Sequence, residues 1–228
     1  MKQAKALTEL LIQKISEKFS NSISEEPKFY LAISGGSGPK NLFHLWSDDY
    51  IEQIPWERIE LFWVDERCVS PLDDQSNYGL AKKQLLDFLP LPEEQVHRIK
   101  GEDNPAAESV RYSKLVTEML PVRNSIPIFD FIVLGIGNDG HTSSIFPGQN
   151  HLYNYKLPYA QSVNPHNGQN RIAMTGLPII EAWMAAYYLT GESKAKIIDI
   201  ISKNDGDAAF PAGYLMKYGK NSRIFWDR

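Results

Sequence analysis

Apolar positions follow two rhythms along this chain, and the rhythms alternate. In residues 4–19, Leu7, Leu10, Leu11, Ile15 and Phe19 fall three or four apart, the spacing of one face of an amphipathic helix. After the break at Pro27, Lys28–Ile33 reads as a short strand, followed by the tight loop Ser34-Gly35-Gly36-Ser37-Gly38-Pro39. Pro39 suits the first turn of a helix carrying Leu42, Leu45 and Trp46 on one side. Ile59–Val64 is a second strand, closed by Asp65-Glu66-Arg67. Helices are expected around Asn77–Phe88 and over 105–120, where Pro121 ends the pattern. A third apolar run, 128–134, is of strand length. Residues 148–170 are rich in Asn, His, Gln, Tyr and Pro and read mostly as loop, with a candidate strand at Tyr159–Val163. Arg171–Thr175 and Ala185–Thr190 are strands. Gly191-Glu192-Ser193-Lys194 opens a helix through Ile201. A tail with Pro211-Ala212-Gly213 leads to a last strand near Arg223–Trp226.

Strands that alternate with helices at this spacing make βαβ units. The expectation is an α/β fold, Rossmann-like, with a mostly parallel sheet and helices on both faces. With no repeat, low-complexity tract or linker, residues 1–228 are expected to form a single domain.

Composition narrows the picture. The 228 residues are 43% hydrophobic and 23% charged, as in an ordinary globular protein. No apolar run approaches the roughly 20 residues that span a bilayer, and Met1–Glu17 lacks the apolar core of a signal peptide. A single cysteine, Cys68, fits a reducing compartment, so a cytoplasmic location is expected. The net charge of -4 argues against a nucleic-acid partner, and a phosphorylated ligand would need a few local cations. A monomer and a small homo-oligomer both fit these features.

Candidate chemistry concentrates in residues 129–148. An Ile-, Val- and Phe-rich run gives way to Gly135, Gly137 and Gly140, with Asp139 and His141 two residues apart where the strand ends. Ligands of open α/β sheets bind at that edge. Gly135-x-Gly137-x-x-Gly140 matches the dinucleotide fingerprint in its glycines only. Residues 143–180 contain no Asp or Glu to hold a ribose hydroxyl, and Pro147 cuts short any helix. The loop around Ser37 is no hydrolase nucleophile elbow, because residue 39 is Pro where that motif needs Gly. It reads better as a phosphate cradle of backbone N–H groups at a helix start. A histidine often serves structure alone. However, an imidazole beside a carboxylate at a strand end, with a reference pKa near 6.5, is suited to take a proton from water. His44, His97, His151 and His166 lack such a setting. No His, Cys, Asp or Glu grouping has metal-site spacing, so no metal is expected. Asp65-Glu66-Arg67, Arg171 and Lys194 each read singly as surface charge; only their combination stands out.

That combination resembles the 6-phosphogluconolactonase family, within the glucosamine-6-phosphate isomerase/deaminase fold. The blocks are Ser34-Gly35-Gly36-Ser37 with Pro39, Trp63–Val69 with Ser76-Asn77-Tyr78, Gly135–Pro147, Arg171–Thr175 and Gly191–Ala195, in the family's order from about residue 30 to 200. The Asp139-Gly140-His141-Thr142 block is the specific one. Gly38 departs from the family's usual Thr. The resemblance implies hydrolysis of 6-phospho-D-glucono-1,5-lactone in the oxidative pentose phosphate pathway, without cofactor. Carried over by position, His141 is the base and Asp139 places it. Arg67, with Asp65, orients the sugar or stabilises developing charge. Gly35, Gly36, Ser37, Gly137, Arg171 and Lys194 bind the substrate and its phosphate. The related deaminases use a Glu directly before the Pro of this block, where this chain has Phe146. A regulator that only binds sugar phosphates is the remaining alternative, although the acidic chain carries no basic DNA-binding segment.

Overall fold

A computed structural model describes residues 1–36 and 38–228. In chain order the strands are β1 (Phe29–Ile33), β2 (Ile59–Trp63), β3 (Asp65–Arg67), β4 (Val96–His97), β5 (Val122–Arg123), β6 (Ile126–Pro127), β7 (Phe131–Leu134), β8 (Tyr159–Val163), β9 (Asn170–Met174), β10 (Ala185–Thr190) and β11 (Ser222–Asp227). The α-helices are α1 (Lys2–Ser20), α2 (Lys40–Asp48), α3 (Asn77–Gln84), α4 (Pro105–Met119), α5 (Gly176–Glu181), α6 (Ala195–Lys203) and α7 (Pro211–Tyr218).

The apolar runs pair as a six-stranded sheet of order β11-β10-β7-β1-β2-β4. Every neighbouring pair is parallel. Every residue of β2 and β7 is buried, as expected of strands covered on both faces. Helices flank the sheet, so the α/β expectation holds. The chain runs outward from β1 through β2 to β4, then returns to the other side of β1 for β7, β10 and β11. The direction of winding therefore reverses between β1 and β7. A crevice opens at such a reversal, outside the carboxyl ends of the strands.

A second, antiparallel sheet, β3-β9-β8, stands over that crevice. The sequence reads 59–64 as one strand ended by charged residues. In the structure the chain changes sheets at Val64, whose N–H still donates to Ile33 of β1 while its carbonyl accepts from Met174 of β9. The candidate strand Tyr159–Val163 is β8, inside a segment otherwise read as loop, and the apparent tail contains α7.

α1 has no side-chain cap of its own. Its first free N–H groups, on Gln3 and Ala4, donate to the Asp227 carboxylate of β11 at 2.9 and 3.0 Å. Tyr112 of α4 ties the other side, donating to the His97 carbonyl at 2.6 Å and accepting from Trp63 N at 3.2 Å.

Candidate active site

A strand places alternate residues on opposite faces, and β3 puts that rule to use. Glu66 points inward and is 2% exposed, while Asp65 and Arg67 face the crevice. The Glu66 carboxylate accepts from the N–H groups of Arg67, Asn77 and Tyr78 at 2.7, 2.7 and 2.8 Å. It thereby clamps the start of α3 under β3. Burial pushes the Glu66 carboxyl up to about 7, with those backbone donors pulling the other way. Asn77, so placed, donates from Nδ2 to the Asp65 carboxylate at 3.1 Å, and Ser144 Oγ donates to the other oxygen at 2.5 Å.

The loop after β7 delivers the histidine. Gly137 N–H donates to the His141 carbonyl at 2.8 Å and Gly140 N–H to the Gly137 carbonyl at 3.0 Å, with Gly140 at φ +87°. Within this turn His141 Nδ1 lies 2.6 Å from Asp139 Oδ1, and His166 Nε2 lies 3.0 Å from Asp139 Oδ2. Burial opposes a charge on Asp139, but the bonds from His141 and His166 outweigh it and hold the carboxyl well below the usual carboxylate range. Among the described residues nothing hydrogen-bonds His141 Nε2, and the ring lines the cleft. Beyond the histidine, Ser143 and Ser144 both take positive φ, 51° and 56°. The strain is held by buried bonds from Ser143 Oγ to the carbonyls of Val64 and Met174.

The cleft, about 470 Å³, lies at the reversal point and is lined from both strands: Gly35 and Gly36 after β1, Gly137 and His141 after β7. Asp65, Arg67 and Lys194 complete its charged lining. Lys194 donates to the Ile136 carbonyl and Asn138 Oδ1, each at 2.8 Å; burial lowers its pKa, with Asp139 acting against. Arg67 and Arg171 are register partners across β3 and β9. Arg67 Nη1 donates to the Gln75 carbonyl at 2.6 Å, its Nε is buried without a partner, and among the described residues neither guanidinium meets a carboxylate. Burial and the Arg67 charge together lower the Arg171 pKa. The nearby Asp65 and Glu66 charges act against that lowering without pairing directly, among the described residues, with either guanidinium.

A family model for glucosamine-6-phosphate isomerases/6-phosphogluconolactonase matches residues 2–226. The chain belongs to this family. It is 37% identical to the 6-phosphogluconolactonase of Aggregatibacter actinomycetemcomitans over 217 residues, which cover 94% of this chain and 90% of that protein. The 6-phosphogluconolactonase of Haemophilus influenzae is 36% identical at the same coverage, 94% and 90%. The crystal structure of a devB protein superposes with a TM-score of 0.86 at 33% identity, covering 98% of this chain and 93% of that one.

Within the family fold, seven of the expected residues converge on the cleft: Gly35, Gly36, Asp65, Arg67, Gly137, His141 and Lys194. Asp139 stands at its rim with Asn138, His166 and Lys194. Ser37 lies outside the described residues. Arg171 does not line the cleft; it is 7% exposed and is the register partner of Arg67 on the next strand. Two cleft-side residues are not among the expected site residues: Asn77, although its block Ser76-Asn77-Tyr78 carries part of the resemblance, and His166. Asn77, whose Oδ1 is buried without a partner among the described residues, is fixed by Glu66 eleven positions away. His166 comes from the β8–β9 connection, where sequence gives it no setting. Among the described residues no three His, Cys, Asp or Glu side chains group as a metal site, and no helix is long and apolar enough to cross a membrane.

Proposed function

We propose that this chain is a 6-phosphogluconolactonase, hydrolysing 6-phospho-D-glucono-1,5-lactone to 6-phosphogluconate in the oxidative pentose phosphate pathway. The observation that carries the reading is the 2.6 Å Asp139–His141 pair, with the His141 ring lining a cleft that also holds Arg67 and Lys194. Asp139, ionised throughout the working range, accepts the Nδ1 proton and leaves Nε2 as the basic nitrogen. Nε2 takes a proton from water as the water oxygen attacks the lactone carbonyl. The tetrahedral oxyanion collapses, the ring C–O bond breaks, and the proton on Nε2 passes to the departing ring oxygen. The new carboxylic acid then ionises, releasing one proton per turnover. Arg67, placed by β3 and flanked by Asp65, faces the developing charge. Gly35, Gly36 and Lys194 hold the phosphate, with Arg171 adding its charge from beside Arg67. No step in this mechanism uses a metal, and full activity in EDTA checks that. The compartment we assign is the cytoplasm, where free Cys68 remains reduced.

Phe146 separates this reading from amino-sugar-phosphate deamination. Its buried ring lies 4.6 Å from the His141 ring, centroid to centroid, where that chemistry wants a carboxylate. A phenyl ring transfers no proton.

The test is acid release from freshly generated 6-phosphogluconolactone above the spontaneous rate. Wild type accelerates it, and His141→Ala loses about 10²- to 10⁴-fold of that acceleration. If wild type gives no acceleration yet still binds 6-phosphogluconate, the chain is instead a regulator that only binds sugar phosphates.

A further inference from the structure

His166 reaches this site from a turn that its own backbone fixes. Asn164 N–H donates to the Gln169 carbonyl at 3.0 Å, Gly168 N–H to the Asn164 carbonyl at 2.9 Å, and His166 N–H to Asn164 Oδ1 at 2.9 Å. Gly168, at φ +71°, closes the turn. The His166 side chain is 68% exposed, so burial does not hold it in place. Its imidazole nevertheless meets Asp139 Oδ2, while Asp139 Oδ1 meets His141. One carboxylate thus bridges two imidazoles, one on each oxygen, in the same hollow at the cleft rim.

We propose that His166 is a positioning residue that acts through Asp139. It fixes the rotation of the carboxylate and, when protonated, competes with His141 for its charge, so setting the pH at which the base is lost. This deepens the hydrolytic reading above and rests on it for the kinetic test only.

The sign follows from the sharing. A carboxylate stabilises a protonated imidazole beside it. When two imidazoles share one carboxylate, a proton on either weakens the hold on the second, and the pair titrates in two macroscopic steps. The charged and titratable groups facing Asp139 are His141 from its own loop, His166 from the β8–β9 connection and Lys194 from the turn before α6. Lys194 is tied to Ile136 and Asn138 and stays constant in the comparison below.

His166→Gln keeps a donor for Oδ2 but carries no charge. Asp139 then serves His141 alone, and His141 holds its proton more tightly. The acidic limb of the kcat/KM profile is expected to move to higher pH by about half a unit or more and to fit a single proton, with KM unchanged. The His141 Cε1–H resonance, followed by NMR without substrate, moves in the same direction. His166→Asn repeats the test should the Gln variant fail to fold. A lower plateau with the limb and the resonance in place means structural support only and overturns the proposal. An unmoved His141 resonance overturns it whether or not the chain hydrolyses the lactone. A moved resonance without lactone hydrolysis supports the coupling and removes only the functional reading.

Discussion

Gly137 and His141 are so close that position 137 has room for a hydrogen and nothing larger. A Cβ there would lie 2.1 Å from His141 Nδ1 and 2.7 Å from Asp139 Oδ1. The glycine is set by the imidazole it must pass, because residue 137 has no positive φ. Gly137→Ala therefore displaces the His141–Asp139 pair. We expect kcat/KM to fall about 100-fold, as for a misplacement near 1 Å, with a Tm loss of about 2–4 °C per kcal/mol of strain. A near-normal rate would show that the base lies elsewhere.

Asp139→Asn shifts the pH profile the opposite way to His166→Gln. The native carboxyl is held well below its ordinary range by its two histidines, so it stays charged wherever His141 is neutral. Removing that charge destabilises the imidazolium. The acidic limb of kcat/KM should move to lower pH, while the plateau drops about 10²- to 10⁴-fold through loss of tautomer and orientation. A limb that moves upward contradicts the assignment of Asp139 as His141's partner.

The central strand and its glycine loop were legible because both signals are local: an apolar run, then glycines around a His and a carboxylate. What was not legible depends on long-range pairing. Ile59–Val64 is apolar but for Glu60, and nothing within it marks Val64 as the residue where the chain leaves one sheet for another; Met174 decides that. Asn77 enters the cleft because the Glu66 carboxylate caps the helix that carries it. Pro211-Ala212-Gly213, placed by sequence only in the tail, begins α7, and Gly213 lets α7 pack against α6, with Ile201 Cγ2 only 3.0 Å from where a Cβ would sit. His166 lies in a polar stretch with no apolar rhythm. Only the pairing of β8 with β9 shows where it goes.

The Arg67–Arg171 neighbourhood predicts a ligand-dependent stability. Two guanidiniums side by side without a carboxylate gain from any bound anion. 6-Phosphogluconate at 100 times its Kd should stabilise the protein by about 2.7 kcal/mol. Arg67→Ala should weaken that binding about 10- to 100-fold, the range for hydrogen bonds to charged groups. Stability without ligand should not fall, since one like charge is removed. Thermal shift with and without ligand, at constant ionic strength, reads both. An unchanged ligand shift in Arg67→Ala would remove Arg67 from the anion site.

Glu66 predicts the pH dependence of folding. Its carboxyl is raised from 4.5 in the unfolded chain to about 7 in the fold, so the folded state binds the proton more tightly. The stability this gives is fully present below pH 4.5, declines as pH rises, and is lost above about 7. The change is on the order of 3 kcal/mol. Glu66→Gln cannot ionise and should flatten that slope. At pH 4.5 it should be less stable by about 1–3 kcal/mol, because one amide oxygen replaces two carboxylate oxygens that serve Arg67, Asn77 and Tyr78, and that deficit should vanish or reverse by about pH 7.5 as the native carboxyl ionises. Denaturant unfolding of both proteins between pH 4.5 and 7.5 measures the difference. Equal slopes would mean that the α3 clamp is ionised across the whole range and that the donors on Glu66, not its burial, set its charge.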